Sequence, residues 1–130
     1  MNPFDPWIRN ELPEETAIRA IIASACAIYN VNEGDLYHRR RSVEADMART
    51  VAMGAAYDFL RDWTAERIAR RFRKAAHSTI TRARDRCNTD LRDEYLKFKS
   101  SILTHPAVLA VATMYGDPVR AVADGDKVPG

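Results

Sequence analysis

A chain of 130 residues with 46% hydrophobic residues is sized for one domain around a single core. No apolar run reaches the about 18 residues that a bilayer-spanning helix needs, and the N-terminus has neither the charged start nor the apolar stretch of a secretory signal. These features argue against a membrane span or a secreted form and for a cytoplasmic protein. The formal net charge is only +2, yet arginine outnumbers lysine sixteen to four and the basic residues gather in the middle third.

Residues 1–13 carry three prolines and read as an irregular N-terminal arm, which Phe4 and Trp7 can pin to the body. Helical spacing then predicts a first helix over residues 14–30, with Ile18, Ile21, Ile22, Ala25, Cys26 and Tyr29 as its buried stripe. Asn30, Val31 and Asn32 break it, and Asn32 is placed to cap a short helix through Asp35, Leu36 and Tyr37. Arg39, Arg40, Arg41 and Ser42 form a basic corner. A long helix is predicted over residues 43–62, with Met47, Val51, Ala52, Ala55, Phe59 and Leu60 on its apolar face. Gly54 inside it costs roughly 1 kcal/mol of helix propensity, which marks the close approach of another helix.

Residues 64–87 are the stretch around which the rest is organised. Thr64 is a good N-cap, and Ile68, Ala69 and Phe72 fall on one side of a helix over 65–72. Residues 73–76 form a connector, and a second helix begins at His77 or Ser78. Ile80, Ala83 and Cys87 recur at i, i+3 and i+7 as its apolar face. Ser78, Thr81, Arg82 and Asp85 lie opposite, available to a partner. Arg67 to Arg86 holds eight basic side chains and one acidic one. Two short helices so charged read as a helix-turn-helix suited to an anionic polymer; the plainer alternative is a solvated basic surface.

Beyond it, Thr89 is placed to cap a helix ending at 102 or 103, with Leu91, Tyr95, Phe98 and Ile102 at helical spacing. Pro106 and Gly116 frame an apolar helix over 107–115, which is either ordinary core or a surface for a homodimer or another protein partner. Residues 117–130 read as a poorly ordered tail. No segment alternates like a strand, so the fold is expected to be all-α. The expected organisation is an arm (1–13), a compact multi-helix domain with a helix-turn-helix (14–103), and an added C-terminal helix and tail (104–130).

Chemistry other than binding finds little support. Cys26 and Cys87 are far apart and lack metal-ligand spacing; buried free thiols are the favoured reading, a disulfide the alternative. Three scattered histidines give no metal site, and His38 and His105 receive no function. No catalytic constellation emerges from the spacing, and Glu14 and Glu15 look like a helix start, so no enzyme and no cofactor are expected. No Gly-x-x-x-x-Gly-Lys-[Ser/Thr] segment is present, so no nucleotide is expected either.

Several pieces of the chain fall in a telling order. Ala27-Ile28-Tyr29-Asn30-Val31 is followed by Asp35-Leu36, then by Arg39-Arg40-Arg41-Ser42. Arg49 stands before Ala52-Met53, Ile68 before Phe72. His77-Ser78-Thr79-Ile80 opens five residues after Phe72, and Ala83 follows. In that order the stretch from about 21 to 102 resembles the C-terminal DNA-binding domain of the bacterial replication initiator DnaA, a Trp-repressor-like helix-turn-helix. The resemblance implies a double-stranded DNA partner, with one helix in the major groove and the basic loop beside it, in replication control or transcription regulation.

Carried over residue by residue, the resemblance implies the following roles. His77 donates to a base in the major groove, against the plainer role of a cap. Ser78 and Thr79 meet phosphate or bases at the helix N-terminus. Thr81 shares the outward face, and Arg82 reaches a phosphate or a guanine edge. Arg39, Arg40 and Arg41 enter the minor groove, against a solvated corner. Arg49 touches phosphate or pairs with an internal carboxylate, and Thr64 is first a cap and secondarily a ligand. The family's connector, Gly-Gly-Arg-Asp, is Arg73-Lys74-Ala75-Ala76 here, so Arg73 and Lys74 stand in for the lost phosphate contact. Ala75 and Ala76 also motivate a different reading, an interaction adaptor that kept the fold and lost base reading.

Overall fold

Runs of helical periodicity broken by capping residues become seven helices, with no strand among the described residues. The computed structural model describes residues 13–38, 42–73 and 77–114, and only the backbone of His77. The helices are α1 Pro13–Tyr29, α2 Glu33–Leu36, α3 Val43–Phe59, α4 Ala65–Arg71, α5 His77–Asn88, α6 Arg92–Ile102 and α7 Pro106–Met114. The expected arm through residue 12, the basic corner Arg39, Arg40 and Arg41, the connector residues Lys74, Ala75 and Ala76, and the tail from residue 115 lie outside the described residues.

The all-α expectation holds, and α3 is the axis of the fold. Every residue from Ala48 to Ala56 is buried, where the sequence predicted one apolar face. Ala45, Ala48, Ala52, Ala55, Ala56 and Gly54 are small enough to let α1 and α5 close on α3 from different sides. Met47 stays half-buried at the edge. Gly54 does mark a close approach: a Cβ added there would lie 2.6 Å from Sγ of Cys87 on α5. The helix stops at Phe59, short of the predicted residue 62. Leu60 leaves helical conformation at ψ 72° while its side chain is fully buried. Trp63 folds back by donating its N–H to the Leu60 carbonyl at 3.0 Å and is itself buried. Burying these two side chains favours the turn over another helical turn.

α1 buries Ala17, Ile18, Ala20, Ile21, Ile22 and Ala25, leaving Cys26 and Tyr29 half-buried at the core's edge. Both cysteines are free, but only Cys87 is the buried thiol expected of the pair. Asn32 opens α2 as predicted: its N–H donates to Asp35 Oδ2 at 3.1 Å, and Asp35 N–H donates to the Asn32 carbonyl at 3.0 Å. α7 packs on α1 through Val108, Val111 and Ala112 and leaves Leu109 and Met114 exposed by 43% and 56%.

One predicted cap is misplaced. α6 begins at Arg92 with Leu91 as its N-cap, whereas Thr89 donates its hydroxyl back to the Asp85 carbonyl at 2.7 Å. Thr89 therefore closes α5 instead of opening α6. The Leu91 N–H reaches the Arg86 carbonyl at 2.8 Å, and this tight turn drops Leu91 into the apolar interior. Tyr95, Phe98 and Ile102 are buried behind it, as their spacing predicted.

A charged network ties three helices together. Lys99 on α6 is 4% exposed and faces Asp58 on α3 at 3.5 Å. Asp58 also accepts from the Tyr95 hydroxyl and from Arg84 Nε on α5 at 3.3 Å. Removing Lys99 or Asp58 would strand the other's buried charge, so the network fixes the mutual placement of α3, α5 and α6.

Candidate nucleic-acid interface

The site is built on α4 and α5, both braced by α3. Thr64 caps α4, its hydroxyl accepting from Arg67 N–H at 3.1 Å. Ile68, Ala69 and Phe72 are fully buried, which fixes α4 against the core. The chain then turns at Arg73, whose φ is 62°. α5 begins at His77, as its sequence signals predicted.

α5 has two distinct faces. Ile80, Ala83 and Cys87 are 0%, 6% and 1% exposed and seat the helix on the core. Ser78, Thr81, Arg82 and Asp85 are exposed on the opposite side. The Thr81 hydroxyl donates to the Ser78 carbonyl at 3.0 Å, within the helix's first turns. Thr79 is half-buried and lines a cleft of about 200 Å³ between α3 and α5, together with Asp46, Arg49, Thr50, Met53, Arg82 and Arg86. Arg49 is only 7% exposed, so it underlies α5 and does not stand on the outward face with Ser78 and Arg82.

The basic stretch is not one free patch. Arg84 is held by Asp58 and lies over the Tyr57 ring at 5.2 Å. Arg86 pairs with Asp46 at 3.3 Å and with Asp90 at 3.5 Å. Arg67 lies over Trp63 at 3.9 Å and pairs with Glu15 at 3.4 Å. Arg71 donates to the Tyr37 hydroxyl at 2.9 Å and approaches Glu33 at 3.8 Å. Arg70 and Arg82 are exposed and form no ion pair among the described residues. Counting charges along the sequence could not separate these two groups, because all but one of the acidic partners come from distant segments.

A second contact joins the connector to the segment before the basic corner. The Arg73 guanidinium lies over the Tyr37 ring, 4.6 Å from its centroid. The Tyr37 hydroxyl donates to Glu33 at 2.7 Å. Burial, then the bond to Glu33, pushes the phenol above its ordinary pKa, so it stays a donor. Arg73, Tyr37, Glu33 and His38 line an open cleft of about 440 Å³. His38, the residue that leads into the corner, thus lies beside the helix-turn-helix connector. Sequence reading missed Tyr37 in this role; an aromatic just before a run of arginines was its only signal.

The sequence model of the family described as bacterial DnaA protein helix-turn-helix matches residues 18–86, more than half of the chain. The chain belongs to this family. No curated protein and no solved structure matches it. The match spans α1 to α5 up to Arg86, so the exposed face of α5 belongs to a DnaA-type DNA-binding domain. The connector opens on Arg73, a residue with a side chain in the left-handed region. At a φ of 62° a glycine would be unstrained, whereas an L side chain costs about 1–2 kcal/mol. Among the described residues no helix is long and apolar enough to cross a membrane, and no group of three His, Cys, Asp or Glu is placed to hold a metal ion.

Proposed function

We propose that the chain binds double-stranded DNA with α5 in the major groove, as a cytoplasmic protein of replication control or transcription regulation. The observation that carries this reading is the outward face of α5, where Ser78, Thr81 and Arg82 stand exposed opposite the buried Ile80, Ala83 and Cys87. Hydroxyls and a guanidinium with no ion pair among the described residues are groups that meet base edges and phosphates. His77 and Ser78 open the helix, where free N–H groups and the positive end of the dipole favour phosphate. Thr79, which lines the cleft with Arg49, meets the backbone or a thymine methyl. Thr64 caps α4 and can offer its hydroxyl to phosphate. Arg73 supplies phosphate contact from the connector together with Lys74, and Arg39, Arg40 and Arg41 supply it from the corner that follows His38.

The test is selection from a random duplex pool at several salt concentrations. An enriched motif with a steep fall of affinity with salt supports the reading. No enrichment, and affinity unchanged by Arg82→Ala together with Thr79→Ala, would sink it.

A second reading, an interaction adaptor, draws support from Leu109 and Met114, two exposed apolar side chains on α7. Under it, a partner is retained from the native host after nuclease treatment and at high salt, and Leu109→Glu abolishes the retention.

A further inference from the structure

Asp85 is out of place on a surface meant for a polyanion. It lies on the exposed side of α5, and its carboxylate makes no hydrogen bond or ion pair among the described residues. Arginines surround it in sequence, yet none neutralises it. Arg84 is spent on Asp58, and Arg86 on Asp46 and Asp90. Arg82, three residues earlier and also exposed, makes no ion pair with it either. At about 100° per residue, Ser78, Arg82 and Asp85 fall within about 60° of one another around the helix. They form one stripe, with Thr81 at its border.

The ionic groups of that stripe are thus one guanidinium and one carboxylate, which cancel. Such a surface has no net attraction for phosphates, and a carboxylate facing them is repelled. Facing base edges it is useful. An ionised carboxylate only accepts hydrogen bonds, and the cytosine amine is the donor it can take in the major groove. Guanine and the thymine carbonyl offer acceptors, which repel it. Adenine pairs its amine with an adjacent acceptor, N7, which would oppose the second carboxylate oxygen. Arg82 and Asp85 lie about 4.5 Å apart along the helix axis, close to the about 3.4 Å rise of a base-pair step.

We propose that Asp85 is a specificity-determining residue, its carboxylate accepting from the amine of a cytosine beside the base pair that Arg82 addresses. This rests on the reading of α5 as the major-groove helix. The ionic contacts to phosphate then come from outside this stripe.

The experiment is duplex selection with the intact chain and with Asp85→Asn and Asp85→Ala at one salt concentration. Asp85 is exposed, so both variants are expected to fold; thermal melts verify that. The intact chain should enrich a motif with a cytosine next to the position that Arg82→Ala relaxes. Asp85→Ala should lower the preference for that cytosine roughly tenfold. Asp85→Asn should move it towards adenine, whose N6 and N7 match an amide. An unchanged motif in both variants overturns the proposal and leaves the DNA-binding reading standing. So does a gain in affinity uniform over all sequences, which would make Asp85 a repulsive charge and nothing more. Absence of any motif for the intact chain overturns both.

Discussion

The Arg73 guanidinium rests on the Tyr37 ring, 4.6 Å from its centroid, and so joins the helix-turn-helix connector to the segment that leads into the basic corner. The contact is made from a backbone at φ 62°. Substituting Arg73→Gly would relieve about 1–2 kcal/mol of strain, against about 0.5–1 kcal/mol of added chain entropy and about 0.5–1 kcal/mol of lost cation–π attraction. These terms nearly cancel, so stability should stay within about 1 kcal/mol by urea titration. Duplex affinity should fall, and the slope of its logarithm against log salt should flatten by about one. A large loss of stability would mean that Arg73 serves the fold, not the ligand.

Two arginines on α5 should separate binding from folding. Arg82 is exposed and makes no ion pair among the described residues. Arg84 covers Asp58, which is largely buried. Arg82→Ala should weaken duplex binding by about 1–3 kcal/mol with little change in melting temperature. Arg84→Ala should lower the melting temperature by removing up to about 1 kcal/mol of half-exposed ion pairing. Its effect on affinity should be small. Equal effects of the two on both measurements would contradict this division.

The helix-turn-helix was legible because its signals are local. Thr64, the run Ile68, Ala69 and Phe72, and the triplet Ile80, Ala83 and Cys87 report cap and periodicity within a few residues of themselves. Thr89 misled because a threonine can cap forwards or close the helix behind it, and only the burial of Leu91 decides which. The all-round burial of α3 hid behind alanines, which read as neutral until three dimensions show helices on several sides. Arg84 and Arg86 looked available because their carboxylates, Asp58 and Asp46, lie 26 and 40 residues away. Tyr37 and Asp85 needed the same long-range information, since each matters through what it does or does not touch.

Gly54 sets how closely α5 can sit on α3. A Cβ there would lie 2.6 Å from Cys87 Sγ and 3.4 Å from a Tyr95 ring carbon. The sulfur has little room to yield, because Cys87 is buried and directs its thiol to the Thr50 carbonyl at 3.6 Å. Overpacking costs about 1–3 kcal/mol, which exceeds the roughly 1 kcal/mol of helix propensity gained. Gly54→Ala should therefore destabilise. Combining it with Cys87→Ala should recover part of the loss, read as a coupling in a double-mutant cycle. Strict additivity would show that the contact is not the cause.

Alkali should unfold the protein earlier than a generic core would suggest. Burial, then the charge of Asp58, pushes the Cys87 thiol from 9.0 up to about 12. Burial and the same carboxylate push the Tyr95 phenol well above 10.0. Burial and the bond to Glu94 raise Tyr29 as well. All three hold their protons more tightly folded than unfolded. Their stabilisation is complete below the unfolded values and is lost as pH climbs towards the folded ones, at up to about 1.4 kcal/mol per proton per pH unit. Lys99 acts oppositely: burial lowers its pKa despite the attraction of Asp58, so its charging penalty disappears as pH rises towards 10.5. Burial raises the Cys26 thiol and the Tyr37 phenol in the same direction, and five groups against one leave a net decline that begins near pH 9, where unfolded thiols ionise. The urea midpoint should be flat below that pH and drop above it. Cys87→Ala removes only one of the two thiols, so the decline should start about one unit higher, where unfolded tyrosines ionise, when Cys26→Ala is combined with it. An onset that the double variant does not move would show that neither thiol holds its proton more tightly folded than unfolded, and that the burial of Cys87 beneath α5 is looser than the contact with Gly54 implies.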